Sequence, residues 1–459
     1  MTMRARPVLA VTAIAASLAL AGCGSRVGSE VGSDGLGSPA TSAATAASDA
    51  GAGNIASDRG VTATTIKVGV IVGKSSPLGP DTFSGSLYGA QAYFDAINAA
   101  GGIHGRKVKV VACDDGGSGQ QNNACAHKLI DDDKVFALVG VSALTYAGAP
   151  YVSSKDVPDI GGQPIDNSYD TYPHLYSIIG SEYPRNGSSA GFGGQLTGGT
   201  EVYRYFKEKL GTHTAAVVYY NVAQSQRYAQ SIEKGLRAEG YTVVDEQVNL
   251  ALGNFDAVAL DMKSKRVDSV YDAMDDGGNG KLCASMDTHG VAVKAKVTTS
   301  QGWTDAVPST YAKSPTCRNS LYATDGMLNY NDTKYPAVKA FRDAIAKYEP
   351  SRETHLNDWT LTGYASAQWF SDAATSCGAN LNRGCLEAFM NRSTPYDGHG
   401  LLTPRTFTHL TASPATERNC TNVVRWQDSA NGGKGAWVTQ VANMDTNCFT
   451  VPMVSYPAS

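Results

Sequence analysis

Residue types able to do chemistry are thinly spread along this 459-residue chain. Its eight histidines are scattered, and the nearest two are His399 and His409. Histidines spaced like this are more often surface groups than metal ligands or general bases. No Gly-x-Ser-x-Gly elbow, His-Glu-x-x-His pair or Gly-x-x-x-x-Gly-Lys-Ser/Thr loop occurs. Elbow-serine acyl transfer, zinc-assisted hydrolysis and P-loop phosphate chemistry therefore lack their marks. Asp272, Asp275, Asp276 and Gly277 approach a calcium loop, but the twelfth position from Asp272 is Cys283 and not the bidentate glutamate such a loop requires. These acids read as a solvated turn. No enzyme and no cofactor are expected.

Cysteine is more informative. Arg4 and Arg6, an apolar stretch over 8–20 and small residues before Cys23 describe a secretory signal over 1–22. Its end, Leu20-Ala21-Gly22-Cys23, resembles a bacterial lipobox, which implies a lipid on Cys23 and an extracytoplasmic protein anchored to the cell membrane. The Gly, Ser, Ala and Thr of 23–60 cannot bury enough surface to fold and read as a tether. Eight further cysteines, an even number in an exported chain with no Cys-x-x-Cys, point to structural disulfides. Short loops close with the least entropy, which favours Cys113–Cys125, Cys283–Cys317, Cys377–Cys385 and Cys420–Cys448 among the many pairings. Each such bond stabilises by about 2–4 kcal/mol.

The chain carries 38 basic and 42 acidic residues, and removing Arg4 and Arg6 with the signal takes its formal charge from −4 to −6. That balance offers no basic face for nucleic acid. No apolar run long enough to span a bilayer follows the signal, so the membrane is expected to be met only through the lipid. The elements that must position any site alternate. Residues 66–72, 108–112 and 135–139 form short β-branched or apolar runs, separated by helical patterns over 81–100 and 120–131. The rhythm restarts with a helix expected over 194–210, strands at 215–219, 241–244, 269–272 and 296–299, and a helix over 224–239. Two βα series imply two parallel-sheet lobes, whose facing strand ends make a closable cleft. The fold class is α/β.

Residues 98–108, Asn-Ala-Ala-Gly-Gly-Ile-His-Gly-Arg-Lys-Val, followed by Asp114-Asp115, strongly resemble one family. It is the type I periplasmic binding proteins related to the leucine/isoleucine/valine receptors of ABC importers. Residues 321–328, a helix over 360–373 and the stretch 389–400 fit the same order of elements. The resemblance implies two Rossmann-like lobes joined by a three-segment hinge: lobe 1 over 61–180 and 325–400, lobe 2 over 181–324 and 401–459. The extension from 419, with Trp426, Trp437 and the Cys420–Cys448 link, reads as a stapled β-rich addition to lobe 2.

The same resemblance places the ligand loops at 74–83, 141–146 and 161–164, with Ser76, Phe83, Ser142, Thr145, Gly162 and Gln163 as candidates. A helix expected to begin near Leu144 would favour a ligand carboxylate at Ser142 and Thr145; alternatively these hydroxyls only cap it. In lobe 2 the family's aromatic-Gly pair is replaced by Gln224-Ser225, and its ammonium-holding acid falls at Gln301. An unpaired buried ammonium is costly, so this replacement disfavours a standard α-amino acid unless Asp272 or Asp305 substitutes. Trp303 would stack on the ligand or pack under a loop. The implied function is a monomeric solute receptor that delivers a branched-chain amino acid, amide or related compound to ABC permease and ATPase subunits. A sensory receptor of the same fold is the alternative.

Overall fold

The computed structural model describes residues 53–458, apart from 77, 78, 80 and 164. The signal segment, Cys23 and the tether through residue 52 lie outside the described residues. Apolar β-branched strands need cover on both faces, and intervening helices supply it. The first lobe runs β1 (Thr65–Val72), α1 (Asp81–Ala99), β2 (Lys107–Asp114), α2 (Gly119–His127), β3 (Ala137–Val139), α3 (Ala149–Ser154), β4 (Asp159–Gly162) and β5 (Leu175–Ser177). Its five strands are all parallel, in the order β2-β1-β3-β4-β5.

The second lobe follows with β6 (Gln195–Gly198), α4 (Glu201–Leu210), β7 (Thr214–Tyr220), α5 (Ala223–Ala238), β8 (Thr242–Val248) and α6 (Phe255–Ser264). Next come β9 (Ser269–Ala273), α7 (Asp276–His289), β10 (Ala295–Thr298), the short α8 (Val307–Thr310) and α9 (Pro315–Arg318), and β11 (Leu321–Asp325). Strands β8-β7-β9-β10-β11 are parallel neighbours.

The chain then crosses back to the first lobe as α10 (Pro336–Tyr348), α11 (Asp358–Cys377) and α12 (Arg383–Met390). Helix α11 is buried along most of its length. It opens on a capping box in which the Asn357 side chain accepts the Thr360 N–H at 3.0 Å. Its packing on α1 depends on missing side chains: a methyl at Gly89 would overlap the Thr360 carbonyl, and one at Gly363 would overlap that of Ser86.

The last segment adds β12 (Thr416–Cys420), β13 (Asn422–Gln427), α13 (Ala430–Gly433), β14 (Ala436–Thr439), β15 (Cys448–Pro452) and β16 (Val454–Pro457). Strand β13 extends the second-lobe sheet antiparallel to β11, and β14 pairs antiparallel with β13. Strands β12 and β15 form a ribbon with Cys420 opposite Cys448, and β16 pairs with β6. Disulfides join Cys113–Cys125, Cys283–Cys317, Cys377–Cys385 and Cys420–Cys448.

The 98–108 motif is structural. Arg106 is fully buried without a carboxylate partner, and its guanidinium donates to the carbonyls of Thr62 (2.8 Å), Ile55 (3.2 Å), Gly378 (3.2 Å) and Ala379 (2.6 Å). It ties the entry to β1 to the end of α11. Residues 54–60, expected in the tether, dock on this lobe: Ser57 donates to the Leu381 carbonyl at 2.5 Å, and Asp58 accepts the Arg383 N–H at 2.8 Å.

Two helix expectations fail locally. Over 194–210 the glycines at 194, 198 and 199 stop a helix, so β6 forms first and α4 begins only at Glu201. No helix begins near Leu144; the Tyr146 and Gly148 N–H groups donate to the Asp166 and Asn122 side chains, and α3 begins at Ala149.

Candidate functional site

Parallel strands send the loops at their carboxyl ends to one edge of each sheet, where ligands of such folds bind. In the first lobe these loops carry Ser76 after β1, Ser142 and Thr145 after β3, and Gln163 after β4. Ser142 is fully buried; its N–H donates to the Ile71 carbonyl at 3.0 Å, but its hydroxyl has no partner among the described residues. Gln163 likewise donates its N–H to Val141 at 3.0 Å and leaves its buried side-chain oxygen unpartnered. Gly162 lies against the Tyr169 hydroxyl, which a methyl group there would overlap. Phe83, on α1, meets Trp359 edge-on at 5.3 Å.

The second lobe has its own loops at the carboxyl ends of its strands. The Thr298 and Thr299 hydroxyls, at the end of β10, are buried and have no partner among the described residues. Gln301 follows in a short 3-10 turn, Ser300–Gly302. The lobes touch at the mouth. Gln224, near the start of α5, donates to the Thr145 hydroxyl at 3.2 Å, and Arg227 donates to the Ile165 carbonyl at 2.5 Å. They also touch at the join, where Asp358 donates its N–H to the Trp303 carbonyl at 3.0 Å.

Asp272 and Asp305 are committed elsewhere. Asp272 pairs with fully buried Lys296 at 2.7 Å and accepts from Asn279 at 2.9 Å, inside lobe 2. Asp305 accepts from the Tyr330 hydroxyl and the Leu356 N–H, both at 3.2 Å. Trp303 is fully buried, tilted on Tyr330 at 5.7 Å and edge-on to Trp437 at 6.5 Å, so it packs in the core. Its indole N–H and that of Trp359 are unpartnered.

Sequence reasoning missed the carboxyl groups at the join. Asp325 ends β11 and Asp358 begins α11, and neither Asp358 oxygen receives a hydrogen bond from a described residue. Burial, reinforced by the Asp325 charge, pushes Asp358 well above the usual carboxylate range. Asp325 is also raised by burial, against which the Arg405 charge and the Gly326 N–H act. A proton kept on Asp358 and donated to Asp325 satisfies both groups. Reading the helix from 360 hid this start; the cap pattern Asn357-x-x-Thr360 marks it.

Buried polar atoms are normally satisfied. Unpartnered donors and acceptors at strand ends in both sheets, with the lobes in contact at rim and join, fit a two-lobed α/β receptor that closes around a small molecule. The chain belongs to the periplasmic binding protein family, whose description matches residues 65–434. An amino acid binding protein of Pseudomonas aeruginosa is 25% identical over 317 residues, 68% of this chain and 79% of that one. The fold is shared with a fatty acid ABC transporter substrate-binding protein from Thermomonospora curvata, at TM-score 0.67 and 18% identity, over 87% of this chain and 97% of that one. It is also shared with a branched-chain amino acid transporter substrate-binding protein from Streptococcus pneumoniae, in complex with isoleucine, at TM-score 0.62 and 21% identity, covering 82% and 100%.

Proposed function

We propose that the chain is the solute receptor of an ABC importer, held outside the cytoplasm by a lipid on Cys23, and that it closes its lobes on a small polar ligand. The observation that carries this reading is the set of buried, unpartnered polar atoms at strand ends in both sheets: Ser142, Gln163, Thr298 and Thr299. Phe83 and Trp359, in edge-on contact, are the aromatic pair offered to the ligand's apolar part. The ligand is an amide or a related compound, or a branched-chain amino acid whose ammonium finds an acceptor other than Asp272 and Asp305; relatives are named for amino acids. Ser142 and Thr145 grip its polar end from the first lobe; Gln224 and Gln301 complete the grip on closure. The receptor acts as a monomer and hands its ligand to the permease and ATPase subunits.

The test is a thermal-shift screen with leucine, isoleucine, amides, ureas, organic acids and fatty acids. A ligand that binds only the folded state at a hundred times its Kd stabilises by about 2.7 kcal/mol. One class is expected to raise Tm in the parent, with a smaller rise in Ser142→Ala. Flat curves in all classes would refute the reading.

A further inference from the structure

The C-terminal strand links the two lobes beside the crossing between β5 and β6. It lies past residue 434, where the family match ends. The Cys420–Cys448 bond fixes β15 to β12, and β16 follows two residues after β15. Strand β16 packs on α5, where the second-lobe Lys234 ammonium donates to the Ser455 carbonyl at 2.8 Å. It pairs with β6 over four residues, Val454↔Gly198 to Pro457↔Gln195. It then ends on the first lobe: the Asn167 amide donates to the Ala458 carbonyl at 3.1 Å, while the Ala458 N–H donates to Gly194 at 3.0 Å.

Ala190, Leu196 and Ala458 form a small apolar cluster of their own, with Tyr183 and Tyr456 against it. The loop before β6 adds first-lobe contacts, Gly187 N–H to Thr171 at 2.8 Å and Gly191 N–H to Asp170 at 2.9 Å. A groove of about 470 Å³, lined by Tyr146, Asn167, Thr171, Ser188, Gly194 and Ala458, runs between the first lobe and the end of the β6–β16 pair. The same helix α5 carries Gln224 and Arg227, which bridge the cleft mouth to Thr145 and Ile165.

We propose that β16 is a clasp: by joining α5 to the Asn167 loop it holds the cleft mouth closed in the ligand-free protein and slows its opening. Opening swings α5 away from Thr145, and β16 resists because its two ends are held by different lobes. The hinge-closure reading underlies this, but the readouts below need no ligand, so a failed ligand screen leaves them intact.

Hydrogen exchange and small-angle X-ray scattering would compare the full chain with one ending at Met453. The clasp predicts a larger radius of gyration for the shortened chain. It also predicts faster amide exchange on both cleft faces, at 141–146 and 223–227, by roughly five-fold for each neutral hydrogen bond lost. Asn167→Ala in the full chain should give part of the same effect. Unchanged scattering, with faster exchange confined to 195–198 and the strand's own contacts, would overturn the proposal. If the shortened chain fails to fold, the Asn167→Ala, Lys234→Ala double variant takes its place, and unchanged exchange at 141–146 in that variant is equally decisive against it.

Discussion

Replacing Asp272 with alanine tests whether this acid belongs to the scaffold or to the ligand site. Both Asp272 and Lys296 have fully buried side chains. The Lys296 ammonium has two partners, the Asp272 carboxylate at 2.7 Å and the Asn279 side-chain oxygen at 2.5 Å. The substitution leaves a cation inside lobe 2 with one neutral acceptor. Breaking a buried pair on one side costs about 3–5 kcal/mol, because the remaining charge is desolvated and uncompensated. At about 2.1 cal/mol/K of unfolding entropy per residue, roughly 400 residues melting together give about 0.85 kcal/mol/K, and hence a Tm drop of about 4–6 °C by calorimetry. Asp272→Leu with Lys296→Met removes both charges and should recover most of the loss. A scaffold role also leaves the ligand-induced rise in Tm unchanged in folded Asp272→Ala. A single variant melting within about 1 °C of the parent would refute the reasoning, since a loss near 3 kcal/mol would then be excluded.

The raised carboxyl at the join has a pH signature. In the folded protein Asp358 keeps its proton above the ordinary carboxylate pKa, so the folded state binds more protons than the unfolded one and stability falls as pH rises from about 4. Asp358→Asn keeps a neutral side chain at every pH, and urea midpoints from pH 5 to 8 should fall less steeply in the variant than in the parent; equal slopes would count against the shared proton. The α1–α11 contact predicts that Gly89→Ala destabilises by about 1–3 kcal/mol through overpacking, because the new methyl meets backbone and not a side chain that can turn away. A denaturant midpoint equal to the parent's would show that the helices separate freely.

What was legible in the sequence is what local pattern encodes. The apolar runs 68–72, 137–139 and 215–218 become interior strands because nothing polar interrupts them. The pattern misled where side chains captured backbone donors, as Asp166 and Asn122 do at Tyr146 and Gly148, so that α3 starts five residues later than Leu144 suggests. Asp272 read as a turn acid or ligand residue because its partner Lys296 is 24 positions away. Asp325, Asp358 and Arg405 were invisible as a group: each lies on a different segment, and the crossings between lobes bring them together. The role of β16 was likewise hidden, since β6, its partner, occupies a stretch that read as helix.

The balance between open and closed lobes follows from the same polar atoms. At the mouth the lobes are joined by the Gln224–Thr145 and Arg227–Ile165 hydrogen bonds. At about 1 kcal/mol net each, they contribute about 2 kcal/mol to closure. Against them, each buried polar group left dry costs about 1–3 kcal/mol, and Ser142, Gln163, Thr298 and Thr299 are such groups in the closed arrangement. Even at the lower bound the four groups cost about 4 kcal/mol against about 2 kcal/mol from the mouth contacts, so on the clasp proposal closure without ligand depends on β16 to make up the difference. Moving such a balance from 1:99 to 99:1 takes about 5.5 kcal/mol of differential affinity. A ligand that pairs three or four of these atoms supplies that amount by removing their desolvation cost alone. An apolar molecule of the same size leaves them unpaired and gains only the Phe83–Trp359 pair. On the proposed reading, specificity in this cleft rests on matching donors and acceptors, and Thr298→Val and Ser142→Ala should weaken ligand binding more than Phe83→Leu does.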